Sequence, residues 1–165
     1  MKEGNMEIEE EHLADLTTHH IEGIARMGNK PFRVSLFSHI DGNLWTGGCP
    51  IEKAPEHFHF IISLYPWGIY NHAEHQVYTE ATLYDSHGVP DEKMLNVLAD
   101  YVNLCRASAP TLVHCQAGLN RSALVAGFAL VKGGMSPRNA IDLLRNRRCD
   151  AVLCNGAFER WLLAQ

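Results

Sequence analysis

A short apolar stretch, Thr111-Leu112-Val113, runs through His114-Cys115-Gln116-Ala117-Gly118-Leu119-Asn120-Arg121-Ser122 into a segment, about Ser122 to Val131, that is apolar on nearly every side. No other part of the chain constrains the fold as strongly. A helix without a polar face has to lie in the middle of a core, and the strand that feeds it through a tight loop has to lie beside it. Strand, glycine-containing loop and helix N-terminus together make an anion site, because N–H groups and the positive end of the helix converge there. A cysteine at that place is stabilised as thiolate, well below the free-thiol pKa of about 8.5. Arg121 offers a planar fork to two oxygens of one phosphoryl group. Gly118 allows positive φ and close approach of the backbone to an anion. Ser122 stands where a hydroxyl can hydrogen-bond the sulfur. His114, at the end of a buried strand, reads as structural support for the loop.

These residues fit the pattern His-Cys-x-x-Gly-x-x-Arg-Ser/Thr, and through it the chain resembles the cysteine-dependent protein phosphatases, in particular the compact dual-specificity group. The resemblance extends over most of the chain from about Ser35, while its specificity rests on the loop. It implies that Cys115 is the nucleophile, Arg121 the phosphate-binding arginine and Ser122 the loop hydroxyl. Gln116, Ala117, Gly118, Leu119, Asn120 and Arg121 are then the phosphate-binding loop. It further implies an aspartate general acid about thirty residues before the nucleophile, since an alkoxide leaves poorly without a proton. Asp85 lies thirty positions before Cys115 and opens Asp85-Ser86-His87-Gly88-Val89-Pro90, which looks like the family's acid loop. Asp91 competes with it, although its place before Glu92 and an apolar helix suits a first-turn role. His87 is also within reach of such a site, and a loop histidine more commonly faces solvent.

A chain of 165 residues, 46% hydrophobic and 20% charged, is long enough for one domain with a sizeable core. The five cysteines are odd in number and irregularly spaced, which speaks against a disulfide framework and for a reducing compartment. Besides Cys115 they read as apolar fillers or exposed thiols, with a resolving partner for oxidised Cys115 as an open alternative. The start, Met1-Lys2-Glu3-Gly4-Asn5, shows no signal-peptide pattern, and no apolar run reaches membrane-span length, so a cytoplasmic location is expected. A formal charge of −5 disfavours broad attraction to nucleic acid or anionic lipid. The histidines His19-His20, His57/His59 and His72/His75 lack a supporting ligand at zinc spacing; no metal and no cofactor are expected.

Residues Glu7 to Met27 have apolar side chains at roughly helical spacing and predict an amphipathic helix within an N-terminal segment, 1–30. It is expected to pack on the catalytic domain, 31–165, with an arm for a partner as the alternative. Strands are expected at Arg33–Phe37, Asn43–Thr46, Phe60–Leu64 and Glu80–Tyr84, with a turn at Asp41-Gly42. A helix is expected from Asp91 to Arg106, with Met94, Leu95, Leu98, Tyr101, Val102 and Cys105 as its stripe. Ser136-Pro137 opens another helix to about Arg148, and a last one spans Gly156 to Ala164. Arg145, Arg147 and Arg148 suit a helix C-terminus better than a binding patch. The fold predicted is α/β: a single three-layer domain with a central, mostly parallel sheet flanked by helices, its active loop at the carboxyl end of a central strand.

The expected partner is a phosphorylated protein, on tyrosine and second on serine or threonine, or a small phosphomonoester. No membrane association is expected, and oligomeric state is left open. Phosphoinositide-directed relatives tend to carry lysines in the loop, where this chain has Gln116, Ala117, Leu119 and Asn120. An RNA 5′-phosphatase is the alternative, because Gly118-Leu119-Asn120-Arg121 fits loops of that kind. From a different class, a non-catalytic phosphate-binding module also remains. The aromatic and histidine-rich region from Tyr65 to Val77 either flanks the pocket or is a surface loop.

Overall fold

The computed structural model describes residues 13–15 and 33–165. Its centre is β7 (Thr111–His114), whose four residues are all buried. On one side of it lies β4 (Leu44–Gly47), which continues through a hairpin to β3 (Phe37–Asp41) at the sheet edge. On the other side lie β5 (Phe60–Ser63) and then β6 (Val77–Glu80), giving the order β3-β4-β7-β5-β6. Only β3 runs antiparallel; every other pairing is parallel. Gly47 and Ser63 both register with His114. The carboxyl ends of three neighbouring strands therefore finish at one level, and their loops emerge together, where ligands bind in open α/β sheets.

Among the described residues, four helices pack on one face of this sheet. They are α1 (Glu92–Ser108), α2 (Arg121–Lys132), α3 (Pro137–Arg147) and α4 (Gly156–Leu163). Helix α2 is buried from Arg121 to Leu130 and forms the centre of the core with Ile62, Val113, Leu95, Val102, Ile141, Phe158 and Leu162. The opposite face of the sheet packs Ile61 and Leu112 against Ala54 and Phe58, with Phe37, Trp45, Tyr70 and Tyr78 around them. Caps fall where the side chains dictate. Asp91 accepts from Met94 N–H at the start of α1, and Ser136 accepts from Asn139 N–H at the start of α3. On α1 the buried stripe is Leu95, Leu98, Ala99, Val102 and Cys105, whereas Met94 lies outside it and is 40% exposed.

Three expectations need correction. Leu13–Asp15 is not helical but a strand, β1, paired antiparallel with β2 (Arg33–Ser35), so no helix runs unbroken from Glu7 to Met27. Pairing of backbone groups there overrides the apolar spacing; the remainder of that helix lies outside the described residues. The strand expected over Arg33–Phe37 divides at Leu36, because Arg33–Ser35 pairs with β1 and Phe37–Asp41 with β4. The strand expected at Glu80–Tyr84 instead spans Val77–Glu80. Its partner β5 ends at Ser63, opposite Glu80; Ala81 N–H still reaches Ser63 C=O, while the next residue of the β5 chain, Leu64, donates its N–H to His114 C=O on the other side.

Candidate active site

The loop from His114 to Ser122 crosses the carboxyl edge of the sheet from β7 to α2. Gly118 has φ +71°, and its Cα lies so close to the Gly47 backbone that any side chain there would overlap it. Main-chain bonds brace the loop: Cys115 N–H donates to Gly47 C=O at 3.3 Å, and Cys49 N–H to Gln116 C=O at 3.0 Å. Leu153 N–H donates to Leu119 C=O at 2.8 Å. Apart from Gln116, every residue of the loop is buried.

Cys115 Sγ lies 3.4 Å from Ser122 Oγ. Burial pushes the Cys115 thiol up, but the Arg121 guanidinium, the Ser122 hydroxyl and the backbone N–H groups of Ser122 and Gly118 outweigh it. The net result is a thiol below its ordinary range, the state that attacks electrophiles. Arg121 donates through Nη1 to Leu83 C=O at 3.3 Å and lies 5.2 Å from the centre of the Tyr65 ring. Among the described residues its buried Nε has no hydrogen-bond partner. An oxyanion seated in the loop satisfies such a donor, whereas leaving it dry is costly.

His114 is fully buried, and burial holds its imidazole down at about 4 despite a bond to the Cys115 backbone; the nearby Arg121 charge acts in the same downward direction. It is therefore neutral. Its Nδ1 lies 3.2 Å from Cys115 C=O, which can only accept, so Nδ1 carries the proton and Nε2 accepts from Tyr70 Oη at 2.7 Å. Tyr70 belongs to the region that the sequence left unassigned. Its hydroxyl buttresses the loop from beneath, and burial pushes its own ionisation far above the ordinary range.

A cleft of about 570 Å³ beside the loop is lined by Tyr65, Trp67, Tyr84, Asp85, Ser86, Gln116 and Arg121. Asp85 thus stands on the same cleft as Arg121. Its carboxylate accepts from Asn120 Nδ2 and from Asn155 Nδ2, each at 2.9 Å. Asp91 is spent on the cap of α1, and His87 is exposed. Trp67 and Tyr84, 51% and 65% exposed, form an aromatic rim with Tyr65, with ring centres 5.3 and 5.7 Å apart.

Arg148 does more than end α3. Its guanidinium donates to Gly118 C=O (2.7 Å), Ala117 C=O (3.1 Å), Ser35 C=O (2.9 Å) and Ser38 Oγ (3.1 Å). It ties the anion loop to the first strands. Neighbouring Arg145 donates to Val152 C=O and pairs with Glu159 instead. The terminal arginine cluster was the only sequence signal for this strut, and it does not distinguish one arginine from the next. None of the five cysteines, all among the described residues, is in a disulfide. Burial, and secondarily Cys115, pushes the Cys49 thiol up to about 11.

A cysteine delivered by a central parallel strand into a cradle of N–H groups, closed by an arginine at a helix start, defines a phosphate-loop α/β domain of the cysteine phosphatase type. Residues 51–165 match the family model described as the dual specificity phosphatase catalytic domain, and the chain belongs to that family. Similar proteins include a "Probable protein tyrosine phosphatase type IVA A" of Dictyostelium discoideum, 44% identical over 40 residues. That match covers 24% of this chain and 24% of the relative. Another is the Arabidopsis thaliana "Phosphatidylinositol 3,4,5-trisphosphate 3-phosphatase and protein-tyrosine-phosphatase PTEN1", 34% identical over 68 residues, covering 39% of this chain and 16% of the relative. The chain thus spans a quarter or less of the length of these relatives. Among solved structures, a mutant form of Tk-PTP superposes with a TM-score of 0.63 at 22% identity, covering 78% of this chain and 94% of that one. PTPMT1 in complex with PI(5)P gives 0.58 at 17%, covering 79% and 98%. At such identities these likenesses establish the fold. No described helix is long and apolar enough to cross a membrane.

Proposed function

We propose that the protein hydrolyses phosphomonoesters of phosphoproteins, phosphotyrosine first and phosphoserine or phosphothreonine second, through a cysteinyl-phosphate. The observation that carries this reading is a Cys115 thiol held below its ordinary range by Arg121, the same arginine that lines a cleft together with Asp85. The thiolate Sγ attacks phosphorus in line while the phosphorus–oxygen bond to the leaving group breaks. Asp85 gives its proton to the departing oxygen. Loop N–H groups and the Arg121 fork stabilise the equatorial oxygens. The Asp85 carboxylate then takes a proton from water, whose oxygen attacks phosphorus. The sulfur leaves as thiolate with Ser122 Oγ beside it, and inorganic phosphate departs.

The cleft lining favours an aromatic phosphomonoester. Three aromatic side chains form its wall, and among the described residues that line it Arg121 is the one basic side chain. A polyphosphorylated ring or a nucleic-acid strand calls for further cations. Asn120, which suggested the RNA 5′-phosphatase alternative, is engaged with Asp85.

Para-nitrophenyl phosphate hydrolysis without added metal tests this reading, comparing the native protein with Cys115→Ser. Vanadate-sensitive turnover that disappears in Cys115→Ser is the expected result. A folded native protein that binds vanadate and turns over nothing between pH 5 and pH 8 would make the site a phosphate-binding module instead. Phosphotyrosine peptides against 5′-triphosphorylated RNA then separate the two substrate classes.

A further inference from the structure

Asp85 is gripped by two amides that come from distant parts of the chain. Asn120 Nδ2 donates to Oδ2, and Asn155 Nδ2 donates to Oδ1. Asn155 is 1% exposed and makes several further bonds. Its Nδ2 also donates to Ser86 C=O at 2.8 Å, and its Oδ1 accepts from Ala157 N–H at 3.1 Å, capping α4. Its backbone N–H donates to Asn120 Oδ1 at 2.9 Å. The amide orientation follows from chemistry: Ala157 N–H can only donate and Ser86 C=O can only accept. Asp85, Asn120 and Asn155 therefore close a ring of hydrogen bonds that joins the acid loop, the phosphate loop and the first turn of α4.

A helix cap asks only for an oxygen, and serine, threonine or aspartate supplies it as well as asparagine does. Capping with the oxygen while presenting two N–H donors to Asp85 and Ser86 is something that only the amide does. The approach to Asn155 is strained as well. Leu153, two residues earlier, has φ +60°, the left-handed region that is unfavourable for a residue other than glycine. Its N–H is the group that donates to Leu119 C=O, so the strained turn holds Asn155 at a fixed place against the phosphate loop. From 81 to 90 the acid loop carries neither strand nor helix; its start is held by the buried Leu83 and by Arg121 on Leu83 C=O, and at Asp85 and Ser86 the amides of Asn120 and Asn155 take over.

We infer that Asn155 is a positioning residue for the acid: it docks the Asp85 loop on the phosphate loop and aims the carboxyl group at the leaving oxygen. The inference rests on Asp85 acting as the acid. Each carboxyl oxygen accepts one amide N–H and retains a second direction, so one of them can carry the proton into the cleft. A misplaced acid hurts most where the leaving group needs its proton most. Leaving-group dependence is thus a signature that a merely structural role does not produce.

The experiment measures kcat and kcat/KM on para-nitrophenyl, phenyl and alkyl phosphates for the native protein, Asn155→Ser and Asp85→Asn, with thermal midpoints for each. Serine keeps an oxygen for Ala157 N–H and removes both donations. The expected result is that the ratio of nitrophenyl to phenyl phosphate turnover rises about 10-fold in Asn155→Ser, and more in Asp85→Asn. The double variant should be no worse than Asp85→Asn alone. A uniform loss across leaving groups in Asn155→Ser, beside a steep dependence in Asp85→Asn, overturns the positioning role. Flat behaviour of Asp85→Asn itself overturns the assignment of the acid and leaves Asn155 as a cap. If Asn155→Ser loses its thermal transition, Asn155→Asp decides, since it keeps length and cap but sets a carboxylate against Asp85. The same steepening is expected there, and its absence counts against the inference.

Discussion

The two loops that face each other across the cleft are held in opposite ways. The phosphate loop runs from the central strand to the central helix, is buried except at Gln116, and is fastened by main-chain bonds to Gly47, Cys49 and Leu153. Arg148 grips two of its carbonyls and Tyr70 supports His114 beneath it. The acid loop is mostly exposed and fastened by Arg121 on Leu83 C=O and by two side-chain amides on Asp85. The contrast follows the chemistry proposed for each. Stabilising charge on phosphoryl oxygens requires dipoles that are already oriented, since reorganising them during reaction costs what they give. Moving one proton requires one carboxyl group at the right distance, and a few polar contacts suffice for that.

The largest expected effect lies in the rigid loop. Arg121→Lys keeps the charge and loses the planar fork, and kcat/KM should fall by about 10²–10³-fold with a smaller change in thermal midpoint. Loss of under threefold would mean that the fork is not what the loop is built to hold.

The neutral, buried His114 makes the same loop sensitive to acid. Its folded pKa of about 4 lies below the ordinary 6.5, so the unfolded chain binds the proton more readily. Stability is fully present above about pH 6.5 and falls as pH drops toward 4, by on the order of 3 kcal/mol. Urea midpoints at pH 7 and pH 4.5 read this directly. His114→Gln should lose that part of the slope; an unchanged slope would place the sensitivity elsewhere.

Arg148→Met should lower stability by about 2–3 kcal/mol, because buried carbonyls of the loop lose their donor while the methionine fills much of the volume. It should also raise the pH at which iodoacetate alkylates Cys115, through a loosened loop. A variant with a lower midpoint and an unmoved alkylation profile would confine Arg148 to holding the fold.

The smallest effect belongs to the exposed side. Tyr84→Ala should raise KM for phenyl phosphate by about 3–10-fold and leave the thermal midpoint nearly unmoved, since it removes one aromatic contact from the rim. A large fall in midpoint would show that the acid side is as tightly integrated as the phosphate side.

Much of this architecture was legible in the chain. The strand and helix around the loop, the caps at Asp91 and Ser136, and the placement of Cys115, Arg121 and Ser122 all follow from neighbours within a few residues. The misreadings came where a distant partner decides. Val77–Glu80 is a strand because Phe60–Ser63 lies beside it, and Leu13–Asp15 is a strand because Arg33–Ser35 does. Asp85 was recognisable from its spacing to Cys115, but its grip was not, because the Asn155 amide lies 70 residues away.

By itself the sequence determined the anion loop, for a physical reason: a strand, nine loop residues and a helix start are contiguous, so covalent geometry alone brings their N–H groups, thiol and guanidinium together. The tertiary structure decided which side chains brace that loop and which hold the Asp85 carboxylate. Arg148 reaches Ser35 across 113 positions, and Tyr70 reaches His114 across 44. An arginine, a tyrosine and an asparagine are ordinary residues in a sequence. They acquire their places only when packing of α2, α3 and α4 on one face of the sheet fixes where each carbonyl and carboxylate lies.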